Sequence, residues 1–149
     1  MKIGANHLSY CTNVHPAETF EELIQTLRAN VSDVKQNISS NDPFGVGLRL
    51  SAQMVLSMNE TRKEMLIETL VSQDMYVFSV NGFPYGDFGI GVVKTDVYEP
   101  GWDDHKRLAY TKAIADLLVE LPGGAARSIS TVALGNATTF KDTDRVDLA

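Results

Sequence analysis

Residues able to bind a ligand or move a proton gather in four short stretches of this chain. His7, Tyr10, Cys11, Asn13 and His15 form one, Arg49 and Ser51 a second, Asn81, Phe83 and Tyr85 a third, and Ser130 and Thr131 a fourth. Imidazoles, a guanidinium, amides and hydroxyls converging on one place suit a polyol or carboxylate ligand. Donors fix the hydroxyls, and an aromatic ring covers the apolar face of a sugar. The plainer alternative is a surface that is polar only because water covers it.

Each stretch can be weighed by its chemistry. His7 and His15 could ligate a metal or shuttle protons. They lie eight residues apart with no acid between them, a spacing that matches no metal motif, so substrate hydrogen bonding is the better reading. Cys11 as a nucleophile would need one of those imidazoles as its base, and packing near a strand end is the commoner fate of a lone cysteine. Arg49 interrupts the apolar run Val46-Gly47-Leu48-Arg49-Leu50. A buried guanidinium there must meet an anion, a ligand or water, or else pair with a carboxylate from outside this chain. Asn81-Gly82-Phe83-Pro84-Tyr85-Gly86 has two glycines and a rigid proline between aromatics, which suits either an aromatic held over a pocket or a simple cap. Gly89-Ile90-Gly91 is too short for a phosphate loop, and Trp102 and His105 at a helix start read as packing or solvated residues. No Ser/His/Asp arrangement, zinc cysteine pair or Walker motif stands out.

The elements that must carry these residues alternate. Strands are expected at Ile3 to Tyr10, Gly45 to Leu50, Met75 to Val80 and Arg127 to Val132, each running into one of the polar stretches. Between them lie helical patterns. Thr19 and Glu22 form a capping box before Phe20, Leu23, Ile24, Leu27, Val31, Val34 and Ile38. Asn59 can cap a helix whose apolar set is Met65, Leu66, Leu70 and Val71. Asp103 or Asp104 can cap another, with Leu108, Thr111, Ile114, Ala115 and Leu118 toward the sheet and Pro122-Gly123-Gly124 as its stop. Strand–helix alternation implies a parallel sheet, either part of a barrel or an open doubly wound sheet, and periodicity alone does not choose. In either fold, ligands bind at the carboxyl ends of the strands, where the polar stretches fall. Phe140 to Ala149 reads as the capped start of a further helix, so the chain is expected to be cut short within the fold.

Composition narrows the classes. The 149 residues, 44% hydrophobic and 21% charged, suit one packed domain. A net charge of −6 weighs against a nucleic-acid partner, which needs a basic face. One cysteine forms no internal disulfide, and no apolar run approaches a membrane span, so a cytoplasmic protein is the expectation.

The blocks Leu8-Ser9-Tyr10-Cys11-Thr12-Asn13-Val14-His15-Pro16-Ala17-Glu18, Gly47-Leu48-Arg49-Leu50-Ser51, Asn81 to Gly86, Val92 and Lys94 through Val97-Tyr98-Glu99-Pro100 with Trp102, and Ser128-Ile129-Ser130-Thr131 together resemble the EboE family. These are metabolite-traffic proteins with a xylose isomerase-like TIM barrel, related to sugar phosphate isomerases and epimerases. The resemblance implies a (β/α)₈ fold of which residues 1–149 are the N-terminal half, about four βα units. It implies handling of a secondary-metabolite precursor in bacteria: binding, and in one reading isomerising, a small polar metabolite. A divalent-metal-dependent sugar or sugar phosphate isomerase or epimerase, and a non-catalytic assembly or docking component, are the alternatives. The broader superfamily holds its metal with Glu, Asp and His of later strands. No metal ligand and no cofactor is therefore carried onto this chain, although a divalent metal could belong to the full-length protein.

These readings give definite expectations. His7, Tyr10, Asn13, His15, Arg49, Asn81, Phe83, Tyr85 and Ser130 are the candidate substrate-binding residues, with His7, Asn13, His15, Arg49, Asn81 and Ser130 directed to one end of the sheet. The chain alone is expected to lack isomerase activity and a tight divalent-metal site. Its inner face should present the apolar residues Val46, Leu48, Val77, Phe78 and Val80, so that it needs its missing half or associates with itself.

Overall fold

The computed structural model describes residues 1–15, 17–86, 96–124 and 126–134. The expected helix start at Phe140 to Ala149 and the Gly89-Ile90-Gly91 stretch lie outside these residues. A long helical run comes first. Thr19 caps α1 (Phe20–Thr26): its side chain accepts from the Glu22 N–H at 3.2 Å, while Glu22 Oε2 accepts from the Thr19 and Glu18 N–H groups at 3.0 and 2.8 Å. Those backbone donors, Glu18's first, hold the Glu22 carboxyl below its usual range. A π-helical segment, Leu27–Val31, joins α1 to α2 (Ser32–Ile38). Ser51 caps a short α3 (Ala52–Leu56), Asn59 caps α4 (Glu60–Ser72) and Asp104, rather than Asp103, caps α5 (His105–Glu120).

The strands differ most at the N-terminus. The stretch Ile3 to Tyr10 is not one strand. Gly4, at φ +60°, turns β1 (Lys2–Ile3) back on β2 (Asn6–His7) as an antiparallel hairpin, and only then does β3 (Ser9–Cys11) enter the main sheet. The hairpin folds back far enough for a Cβ at Gly45 to meet Leu8 O at 2.5 Å and the Met1 nitrogen at 3.0 Å. β4 (Phe44–Arg49), β5 (Met75–Asn81) and β6 (Ser128–Ser130) follow, giving a four-stranded parallel sheet in the order β3-β4-β5-β6. The protein is thus an α/β structure in which successive parallel strands are neighbours.

The core lies on one face of that sheet. Val46, Leu48, Val77 and Val80 are wholly buried in one cluster with Leu23, Leu27, Leu66, Leu70 and Ile114. This corrects the expectation that these four sheet residues line an uncovered inner face. The phase of β5 explains it. A register shift against β4 between Val46 and Gly47 leaves Phe78 as an extra residue, so Val77 and Val80 share the buried face while Phe78 and Ser79 are only half-buried. The other face carries Tyr76 and Phe78, on which the His7 ring packs, besides smaller residues, and Cys11, Ser128 and Ser130 on its outer strands are exposed. Three helix faces also differ from expectation, and on α2 Ile38 is exposed. On α5 the buried set is Arg107, Tyr110, Ile114, Leu117 and Leu118, whereas Leu108 is exposed. On α4, Leu66, Thr69 and Leu70 are buried, and Met65 and Val71 are exposed.

Candidate functional site

The carboxyl ends of β4, β5 and β6 bring three of the expected residues into one row: Arg49 is the cross-strand partner of Asn81, and Asn81 of Ser130. Asn81 Oδ1 accepts from the Phe83 N–H and from the Ser130 hydroxyl, both at 3.0 Å. The backbone donor decides which end of the amide is oxygen, so Nδ2 is directed away from these bonds. Among the described residues it meets no acceptor.

Arg49 is nearly fully buried, and its surroundings correct one expectation. Its guanidinium meets a carboxylate of this same chain: Nη1 and Nη2 donate to Glu18 Oε1 and Oε2 at 3.0 and 3.2 Å. It also donates to Ala17 O at 3.2 Å and Gly86 O at 3.3 Å, while its backbone N–H donates to the Thr12 hydroxyl at 2.9 Å. One arginine therefore ties together the segments that follow β3 and β5. Glu18 remains half-exposed, leaving its carboxylate within reach of a ligand above the sheet end.

The first stretch divides. His15, after β3, shares a hydrogen bond of 2.9 Å with the Tyr10 hydroxyl, and Asn13 is exposed in the 3₁₀ turn Thr12–Val14. His7 lies elsewhere. It precedes β3, its Nδ1 is 3.0 Å from the Tyr76 hydroxyl, and its ring packs on Tyr76 and Phe78 at centroid separations of 5.6 and 5.5 Å. That is the amino end of the parallel strands, opposite Arg49, Asn81 and Ser130. The hairpin that breaks the expected first strand carries His7 there, beside a cleft of about 580 Å³ under the N-terminus. Both histidine rings bond to tyrosines rather than to Cys11, which is exposed on β3.

The aromatics of the Asn81–Gly86 loop pack against protein. Phe83 meets Tyr98 edge to face at 5.4 Å, and Tyr85 meets Tyr110 likewise at 5.2 Å. Trp102 donates from Nε1 to Val132 O at 3.0 Å, and His105 is exposed beside Asp104.

The residues that build this loop from beneath are ones that the helical pattern hides. Arg107, fully buried, donates from Nε to Pro100 O at 2.8 Å and from Nη1 to Gly82 O and Phe83 O at 3.0 and 3.2 Å. Its guanidinium carbon lies 5.6 Å from the centres of both the Tyr85 and Tyr110 rings. Burial lowers its pKa, but an arginine keeps its proton under such a shift. The single Tyr110 O–H is shared between Leu50 O and Pro84 O, joining the end of β4 to the same loop. Long side chains with apolar bodies occupy core positions on α5 while their polar tips satisfy loop carbonyls.

Tyr110 has a measurable consequence. Burial pushes its phenol up to about 12, against the opposite pull of Arg107 and Arg49. The folded state thus favours the protonated phenol relative to an unfolded tyrosine near 10. The stability this contributes is complete below about pH 10 and is lost as pH rises toward about 12. An ultraviolet titration is expected to show a tyrosine that ionises last, together with falling stability in that window, and Tyr110→Phe should remove the late transition.

Among the described residues, no three His, Cys, Asp or Glu side chains gather to hold a metal ion, and no helix is long and apolar enough to cross a membrane. No family model matches the chain, and neither does any curated protein or solved structure.

Proposed function

We propose that this chain is the N-terminal half of an EboE-type, xylose isomerase-like barrel, and that it handles a small polar metabolite at the carboxyl ends of its strands. The observation that carries the reading is the Asn81 amide, fixed in register between Arg49 and Ser130 with its Nδ2 donor presented. The half-exposed Glu18 carboxylate adds an acceptor near that donor's row, and the Tyr10–His15 pair adds a phenol and an imidazole after β3. Donors and acceptors of this kind, with few net charges among them, suit a hydroxylated ligand. Two features favour half a barrel over an open doubly wound sheet. Neighbouring strands follow chain order throughout, and one sheet face is covered while residues of the other stay exposed.

The test is calorimetric titration of the chain with neutral polyols and sugar acids. Binding of one of these is expected, and Asn81→Ala should weaken it about tenfold, the worth of one well-placed hydrogen bond. Equal affinity in the variant would place the ligand elsewhere, and the absence of binding by any of these compounds would remove the proposal.

A further inference from the structure

We propose that the ligand of this site carries an amino group, so that it is a hydroxylated amine such as an amino polyol rather than a sugar acid or a sugar phosphate. The inference rests on the reading of the site given above and adds the sign of the ligand's charge.

The row of Arg49, Asn81 and Ser130 looks cationic in the sequence, because its one charged member is an arginine. The fold reverses that sign. Arg49 is only 6% exposed, and its guanidinium donates to Glu18, Ala17 O and Gly86 O within the chain. An anionic ligand would have to displace a bidentate pair to reach it, and the displaced carboxylate would repel that ligand. The member of the pair that meets solvent is Glu18, whose side chain is 31% exposed. Each of its oxygens accepts one bond from Arg49, and a carboxylate oxygen has room for a second. The fork also holds the carboxylate in place, so an incoming donor does not have to order it. Gly86, exposed beside the pair, offers its carbonyl as a further acceptor. An ammonium, which has three donors and no acceptor, suits such a set.

The neighbouring charges agree. Arg107 is fully buried beneath the loop that follows β5. Glu99, close enough to favour the protonated form of that arginine, is itself exposed. Asp103 and Asp104 stand before the first turn of α5, with the exposed Lys106 as the cation beside them. Among the described residues, both arginines near the row are thus withdrawn from water while carboxylates are presented to it. The tasks divide accordingly. Asn81 Nδ2 donates to a ligand hydroxyl, and Glu18 accepts from the amine.

The test is calorimetric titration of the chain, at low and at high salt, with four probes built on one carbon chain: glucitol, glucamine, N-acetylglucamine and gluconate. Glucamine should bind about tenfold more tightly than glucitol at low salt, the worth of a hydrogen bond to a charged group. High salt should narrow that ratio. N-acetylglucamine, hydroxylated but uncharged, should lose the advantage, and gluconate should bind more weakly than glucitol. Asn81→Ala should weaken glucitol and glucamine by the same factor, and Glu18→Gln should bring their ratio toward one. Circular dichroism shows whether the glutamine variant is folded, and the four wild-type affinities decide the question if it is not. Equal affinity for glucamine and glucitol, or tighter binding of gluconate than of glucitol, would overturn the amine while leaving the hydroxylated-ligand reading intact. Glucamine binding that Asn81→Ala does not weaken would put the ammonium outside this row and overturn the proposal. No binding by any of the four would overturn both readings.

Discussion

Replacing Arg107 with methionine is expected to cost the fold about 3 kcal/mol or more. The guanidinium satisfies three carbonyls, those of Pro100, Gly82 and Phe83, and lies 5.6 Å from the centres of two tyrosine rings. Methionine fills most of the volume and none of the hydrogen bonds, and each buried carbonyl left without a donor loses about 1–3 kcal/mol. The effect should appear as a lower urea midpoint with an unchanged slope. It should also reach the site. Phe83 supplies both a carbonyl to Arg107 and the N–H that orients Asn81, so loosening one loosens the other. Arg107→Lys should recover only part of the loss, because an ammonium is a point donor and cannot span the positions of the guanidinium fork. A loss below about 1 kcal/mol in the methionine variant would mean that the loop carbonyls are satisfied by water and that α5 does not hold the site.

The second large effect belongs to a residue that does no chemistry. Gly123→Ala is expected to destabilise by about 3 kcal/mol, whereas Gly124→Ala should change stability by less than about 0.5 kcal/mol. A Cβ at Gly123 would collide with Val77 O and stand 3.3 Å from Val77 C, while one at Gly124 meets nothing within 4 Å. Val77 is part of a central strand, and its N–H donates to Pro122 O at 2.7 Å. The loop therefore cannot retreat from the added methyl without losing that bond, and the strand cannot move without disturbing its pairing with β4. Comparing the denaturation midpoints of the two variants separates close approach from the general effect of removing a glycine. Similar midpoints would show that the loop after α5 gives way freely.

Much of the architecture was readable because it is encoded locally. The caps Thr19, Asn59 and Asp104 act within three residues, and the β-branched and aromatic run from Met75 needs no partner to be recognised. What escaped depends on distant neighbours. The hairpin at Gly4 interrupts a stretch with no other break, and α3 is too short for its period to show. On α5 the expected Ile114 and Leu118 are buried, but the first turns differ by one position because Arg107 and Tyr110 look like surface residues, and Leu108 like a core one, until the loop carbonyls of Gly82, Phe83 and Pro84 are in place. The faces of β4 and β5 depend on a bulge that no alternation pattern announces. That Asn81 and Ser130 share one end of the sheet was legible from their positions at strand ends. The carboxylate that meets Arg49 was not, since Glu18 is 31 residues away in the chain and reads as part of a helix entry. His7 failed for the same reason as the hairpin, being carried to the opposite end of the sheet.

The most direct measurement on the central claim follows the side-chain amide of Asn81 by nitrogen–proton correlation spectroscopy during titration with a neutral polyol. The account predicts saturable shifts of the Asn81 side-chain signals, of the Phe83 backbone amide that bonds to it and of Ser130, all at the carboxyl ends of the strands. Signals that stay still there, while those around His7 and Tyr76 move, would put binding at the amino end and contradict it.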